Sequence, residues 1–215
     1  MKSLVIFDLD GTLVNTIEDL ANATNHALTT LGFPTHPVPS YCNMVGNGIT
    51  KLLERALPEE ARTNRMIEAM RSHFREFYDA HLYDCSTPYP GIRELLQELT
   101  ERGIATAVAS NKYQAAVERI IEHFFPETPW KAVFGHIDGV PVKPDPSVVF
   151  EVLAKYPTPK SQVLFVGDSN IDIETARRAC VDGCGVTWGF RTRQELVSAF
   201  AQHIVNTPDD ILSIL

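Results

Sequence analysis

The feature that most constrains the fold is a set of short, continuously apolar, β-rich runs at Ser3–Phe7, Ile104–Ala109, Gln162–Val166 and Gly185–Trp188. Each run is apolar throughout and does not alternate, the pattern of a strand covered on both faces in a parallel sheet. Ala132–Phe134 adds a weaker strand and His203–Val205 an edge strand. Helical patterns lie between them. Ile92, Leu95, Leu96 and Leu99 step at helix spacing, and Gly103 supplies a stop. Asp145-Pro146 reads as an N-cap followed by proline in the first turn, Thr192 and Glu195 as a capping box, and Thr207-Pro208 as a further cap-then-proline start. Strand and helix in alternation predict a doubly wound, Rossmann-like α/β domain with a parallel sheet.

Residues 15–84 break that alternation. Ile17, Leu20, Thr24, Leu28 and Leu31 step by three or four, as do Ile67, Met70, Phe74, Phe77 and His81. Gly32-Phe33-Pro34 and Leu57-Pro58 punctuate the stretch, and the turn-forming run Asp84–Gly91 closes it. The expected organisation is a catalytic core of residues 1–14 and 85–215 with an inserted helical unit at 15–84.

Charge narrows the function. With 19 basic and 27 acidic residues the formal charge is −8, which lacks the footprint of a general nucleic-acid binder. The longest early apolar run, Leu4–Phe7, is too short for a signal peptide or a membrane span. Four cysteines without CxxC pairs read as free thiols in a reducing cytoplasm. Monomer and homodimer are both open.

In an open parallel sheet, ligands sit beyond the carboxyl ends of the strands. Those ends carry Asp8-Leu9-Asp10-Gly11-Thr12, Ser110-Asn111-Lys112 and Gly167-Asp168-Ser169-Asn170-Ile171-Asp172, and Lys143 precedes a helix. Four acids, a hydroxyl and a lysine therefore converge on one edge. Asp8 and Asp10 are two apart, so an extended chain points both the same way, and Gly11 permits the turn after them. Joined by Asp168, these carboxylates repel without a counter-ion, and hard oxygen ligands on separate segments favour Mg²⁺ bridging to a substrate phosphate. An ionised carboxylate there attacks phosphorus, and the second protonates the leaving oxygen and then deprotonates water. Ser110 and Lys143 would hold the phosphoryl oxygens. Gly11, Thr12 and Asn111 stand beside these groups as candidate substrate contacts.

Other patterns fall away. Asp168, Asn170 and Asp172 mimic the start of an EF-hand loop, but Ile173 and Ala179 occupy the positions that need glycine and glutamate. Gly46-Asn47-Gly48 lacks the Gly-Lys-Ser/Thr of a Walker loop; it reads either as a flexible helix connection or as a loop that meets substrate. Ser110 and Asn170 also have bland readings as helix caps, and Asp145 reads as structural.

Asp8-Leu9-Asp10-Gly11-Thr12-Leu13, Ser110, Lys143 and Gly167-Asp168-Ser169-x-x-Asp172 resemble, in order and spacing, the four motifs of the haloacid-dehalogenase superfamily. The helical insertion falls where that superfamily places a type-1 cap. The resemblance implies Asp8 as nucleophile and Asp10 as general acid/base. It implies Mg²⁺ held by Asp8, the backbone carbonyl of Asp10 and Asp168, with Asp172 in the outer shell, and the second acid, Asp10, points to phosphoryl transfer. Val45-Gly46-Asn47-Gly48-Ile49, Arg55-Ala56-Leu57, Ser110-Asn111-Lys112 and Trp188-Gly189-Phe190 are similar to the phosphoglycolate phosphatase branch, which makes Gly46 and Asn47 candidate substrate contacts. Asn15 and Cys180 depart from the branch, where aspartate and glycine are common. The expectation is a Mg²⁺-dependent phosphatase acting on a small phosphorylated metabolite, with 2-phosphoglycolate leading. The alternatives are a phosphosugar mutase, a pyrophosphate or nucleotide phosphohydrolase, and a non-catalytic binding module.

Overall fold

The computed structural model describes residues 1–215. In chain order, β1 (Leu4–Phe7) and β2 (Val14–Asn15) lead into three helices, α1 (Ile17–Thr30), α2 (Gly48–Ala56) and α3 (Asn64–Ala80), with a 3₁₀ turn at Val38–Asn43. The chain returns through β3 (Thr87–Pro88) and continues as α4 (Ile92–Glu101), β4 (Ala105–Tyr113), α5 (Gln114–Phe124) and β5 (Ala132–His136). Then follow α6 (Ser147–Lys155), β6 (Val163–Gly167), α7 (Asn170–Ala179), β7 (Asp182–Val186), α8 (Arg193–Ser198) and β8 (His203–Val205). No helix is long and apolar enough to cross a membrane.

Six strands form one parallel sheet in the order β5-β4-β1-β6-β7-β8. Strand β1 is central, with β4 on one side and β6 on the other, so the winding reverses direction there. All four of its residues are inaccessible to solvent. Their side chains alternate across the sheet: Val5 and Phe7 join one apolar cluster, Leu4 and Ile6 the other. The Val5 and Phe7 cluster runs on into the helical segment, taking in Leu20, Tyr41, Met70 and Phe74. This is the doubly wound parallel sheet that the apolar runs predict.

Boundaries differ from the sequence reading where tertiary contacts decide them. Strand β4 runs on through Ser110, Asn111 and Lys112, with an irregular register against β5 between Ala109 and Tyr113. Ser110 therefore caps no helix. Strand β7 lies three residues earlier than expected, because Gly183 and Gly185 let α7 and α8 pack close above it. Helix α6 starts at Ser147, and Asp145 Oδ1 accepts from the Ser147 backbone amide at 2.9 Å. Helix α7 is capped by Ser169, not Asn170: the Ser169 amide and hydroxyl both donate to Asp172 Oδ2, at 3.0 and 2.6 Å. It ends at Cys180, which sits in the left-handed region at φ 59. The Thr192–Glu195 capping box is present, whereas Thr207-Pro208 opens a 3₁₀ turn and no α-helix.

Two short strands had no sequence signal. Val14 pairs with Pro88 and Asn15 with Thr87 in an antiparallel ribbon, so the chain enters and leaves the helical segment side by side. Asp19, buried in α1, braces this junction by accepting from the Cys85 amide at 3.0 Å and the Ser86 amide and hydroxyl at 2.8 and 2.5 Å.

Candidate active site

The reversal point at β1 is where a doubly wound sheet opens a crevice beyond its strand ends. Asp8 follows the last residue of β1, its amide donating to Val166 O at 2.9 Å and its Oδ1 accepting from the Leu9 amide at 2.7 Å. The turn that follows is closed by the Leu13 and Val14 amides donating to Leu9 O. Gly11 holds φ at +83°, and a side chain there would collide with the Asp168 carboxylate, so the turn and the approach of β1 to β6 both require glycine.

From the ends of three segments, Asp8, Asp168 and Asp172 bring carboxylate oxygens within 4.8 Å of one another. Lys143 sits among them, buried, with Nζ 2.7 Å from Asp172 Oδ1 and 2.9 Å from Asp8 Oδ1. Asp172 is fully enclosed and already engaged through both oxygens, by Lys143 and by Ser169, so it orients the lysine and the start of α7. Asp168 Oδ2 accepts from the Phe190 amide at 2.6 Å.

The electrostatics follow from this crowding. Burial, opposed by Lys143 and reinforced by the Asp172 charge, pushes the Asp8 carboxyl up to about 7. Burial and the charges of Asp172 and Asp8 push Asp168 well above the usual carboxylate range. Burial alone would lower Lys143, but Asp172 and Asp8 outweigh it and hold the ammonium above its ordinary range. One lysine against three buried carboxylates leaves an uncompensated negative centre of hard oxygen donors. That donor set fits a divalent cation of the magnesium kind.

Asp10 lies apart from the cluster. Its Oδ1 accepts from Thr16 Oγ1 at 2.6 Å and from Lys112 Nζ at 2.9 Å, and its Oδ2 is 3.0 Å from the same ammonium. Its carboxylate is thus committed to Lys112 and Thr16 and stands outside the Asp8–Asp168–Asp172 cluster. Ser110 is buried at the same edge, its Oγ accepting from the Lys112 amide at 3.3 Å.

Asp8, Asp10, Ser110, Asn111 and Asp168 all line one cavity of about 50 Å³ between the sheet edge and the helices, and Gly46 lines its far wall. Five other sequence candidates do not line it. Gly11 shapes the turn, Thr12 is fully buried with an unpartnered hydroxyl, and Asn47 accepts from Arg55 at 2.8 Å within the helical segment. Lys143 and its partner Asp172 stand behind Asp8, outside the cavity wall. Asn111 has a bracing role as well: its amide donates to Gly46 O and Lys143 O, each at 3.0 Å, and its carbonyl accepts from the Lys143 amide at 2.8 Å.

Sequence reasoning misses four residues here. The sequence assigns Lys112 no role of its own, yet it is the partner of Asp10. Arg191 ties the core to the helical segment by donating to Cys42 O and, at 2.8 Å, to Val45 O. Asp19 and Tyr78 are the others. For Tyr78 a signal existed, since Ile67, Met70, Phe74 and Tyr78 also step at helix spacing and are the residues α3 buries, leaving Phe77 half-exposed.

The doubly wound α/β sheet thus carries, at its winding reversal, a buried and lysine-braced cluster of carboxylates whose oxygens could hold a divalent cation. The chain belongs to the haloacid dehalogenase-like hydrolase family, whose sequence profile matches residues 5–186. It is similar to the phosphoglycolate phosphatase of Mannheimia succiniciproducens, 30% identical over 218 residues that cover 99% of this chain and 97% of that protein. It is 34% identical to the phosphoglycolate phosphatase of Pseudomonas fluorescens over 194 residues, 88% of this chain and 71% of that one. The crystal structure of a predicted phosphoglycolate phosphatase from Haemophilus somnus superimposes with a TM-score of 0.90 at 29% identity, covering 99% of this chain and 97% of that chain.

Proposed function

We propose that this hydrolase is a Mg²⁺-dependent phosphatase of small phosphomonoesters, with 2-phosphoglycolate as its substrate and glycolate and phosphate as products. The observation that carries the reading is the separation of two carboxylates two residues apart. Asp8 faces Lys143 and Asp168, while Asp10 is held by Lys112 and Thr16 on the same cavity. That separation supports attack by Asp8 and proton transfer by Asp10.

In this reading Asp8 attacks phosphorus and forms an aspartyl-phosphate as the leaving oxygen takes a proton from Asp10. Asp10 then deprotonates the water that releases phosphate. Ser110 holds a phosphoryl oxygen, and Lys143, engaged with Asp8 and Asp172 behind the cavity wall, offsets the negative charge from there. Mg²⁺, held by Asp8, Asp168 and the Asp10 carbonyl, would supply positive charge to the phosphoryl group and keep Asp8 ionised. Residues 15–84 act as a cap that excludes bulk water and reads the leaving group. The contacts of Arg191 and Asn111 with the backbone of residues 42–46 support a closed arrangement, and the small cavity favours a small leaving group. The relatives named phosphoglycolate phosphatase support the choice of substrate.

The test is phosphate release from 2-phosphoglycolate, pyrophosphate, nucleoside monophosphates and hexose phosphates, each with Mg²⁺ and with EDTA. Mg²⁺-dependent release with a sharp preference for 2-phosphoglycolate is expected. Broad weak release would keep the chemistry and remove the substrate assignment. A rearranged sugar phosphate without free phosphate would replace hydrolysis by a mutase.

A further inference from the structure

The helical segment presents an almost wholly apolar wall to the cavity: Leu20, Val45, Ile49, Leu52 and Phe74, together with two glycines. Tyr78 of α3 is the exception, the one side chain of residues 15–84 on that wall with a polar atom. Its ring is fully buried, and its hydroxyl has no hydrogen-bond partner anywhere in the protein. A buried hydroxyl without a partner is a standing cost, and phenylalanine would fill the same space without it.

The neighbours of Tyr78 indicate what partner would suit it. Lys112 Nζ lies 4.9 Å from the centre of its ring and pairs with Asp10, the residue placed for proton transfer to the leaving oxygen. The phenol therefore stands beside the Lys112–Asp10 pair on the cavity wall. Burial, with the charges of Asp10, Asp19 and Asp79, holds the phenol protonated, so it acts as a donor at neutral pH. A phenol donor bonds an anionic oxygen more strongly than a neutral one.

We infer that the Tyr78 hydroxyl is a specificity group that donates to a carboxylate on the leaving group, with Lys112 alongside it. This rests on the phosphatase reading above and adds to it a reader of substrate charge supplied by the helical segment. A ligand carboxylate would satisfy the orphaned hydroxyl, and a neutral leaving group would satisfy it less well.

The experiment compares wild type with Tyr78→Phe, which removes only the oxygen. Two substrates are used with Mg²⁺: 2-phosphoglycolate, and 2-hydroxyethyl phosphate, in which a neutral hydroxyl replaces the carboxylate. The ratio of their kcat/KM values is expected to fall by about tenfold or more in Tyr78→Phe, mainly through KM for 2-phosphoglycolate. An unchanged ratio, or an equal loss on both substrates, would mean that the hydroxyl serves packing alone and would overturn the inference. A second arm does not need turnover: calorimetric titration of 2-phosphoglycolate into Asp8→Asn and Asp8→Asn/Tyr78→Phe, where about tenfold weaker binding in the double variant is expected. If wild type releases phosphate from no ester, the phosphatase reading fails, and this binding arm alone decides Tyr78. Equal binding by the two variants, or binding by neither, overturns the role given to Tyr78.

Discussion

Replacing the candidate nucleophile Asp8 by asparagine is expected to make the cation-free protein more stable at high pH while abolishing phosphate release. Asp8 is enclosed with Asp168 and Asp172, and burial and the Asp172 charge outweigh Lys143 to carry its carboxyl from 3.8 up to about 7. An acid whose pKa is higher in the fold holds its proton more tightly there than in the unfolded chain. Its contribution to stability is therefore full below about pH 4 and is lost as the pH rises through about 7. The interval between the two values corresponds to about 4 kcal/mol above pH 7 as a ceiling. Movement of Lys143 and entry of water bring the expected gain of Asp8→Asn to about 2–4 kcal/mol at pH 8, shrinking to about 1 kcal/mol or less near pH 4.5. Urea denaturation followed by circular dichroism in EDTA at those two pH values measures the difference. Adding Mg²⁺ should close the gap by stabilising the wild type. A variant no more stable than wild type at pH 8, or a gap equal at both pH values, would refute the crowded-carboxylate account.

Three further substitutions probe the frame around the site. Cys180→Gly should raise stability by about 0.5–1 kcal/mol in thermal melts, because Cys180 is exposed and holds φ 59, a backbone region that disfavours side chains. Asp19→Ala should lower stability by about 2–3 kcal/mol, since it strands the Cys85 and Ser86 donors that its carboxylate satisfies; equal unfolding midpoints would contradict this. Arg191→Ala should speed amide hydrogen exchange across residues 42–48 about tenfold while leaving the central strand β1 protected, because the guanidinium holds Cys42 O and Val45 O. Unaltered exchange there would show that the apolar contacts alone hold the segment down.

The sheet and the acidic centre were legible because their signals are local. A buried parallel strand must be apolar throughout, and a strand end must bear whatever chemistry the crevice holds, so Asp8, Ser110 and Asp168 could be placed from their flanking runs. What escaped depends on partners without a sequence signature. Asp19 and Arg191 bind backbone amides and carbonyls that any residues would offer, far away along the chain. The ribbon of Val14–Asn15 with Thr87–Pro88 is two residues long on each side, too short for periodicity to register. Tyr78 was displaced by Phe77 because a 3.6-residue repeat allows steps of three or four, and only packing selects between them. The sequence places strand β7 late because Asp182 and Gly183, which open it, look like strand breakers until the helix packed over Gly183 is known.

The same ribbon has a consequence for how such a chain diversifies. Val14 and Asn15 lie hydrogen-bonded against Pro88 and Thr87, so everything between them hangs from two adjacent points and the parallel sheet closes without it. Lengthening, shortening or exchanging that stretch changes the loop-closure entropy only slowly and leaves every strand register in place. Mutational drift can therefore remodel one wall of the cavity while the acidic centre at the sheet edge is inherited intact.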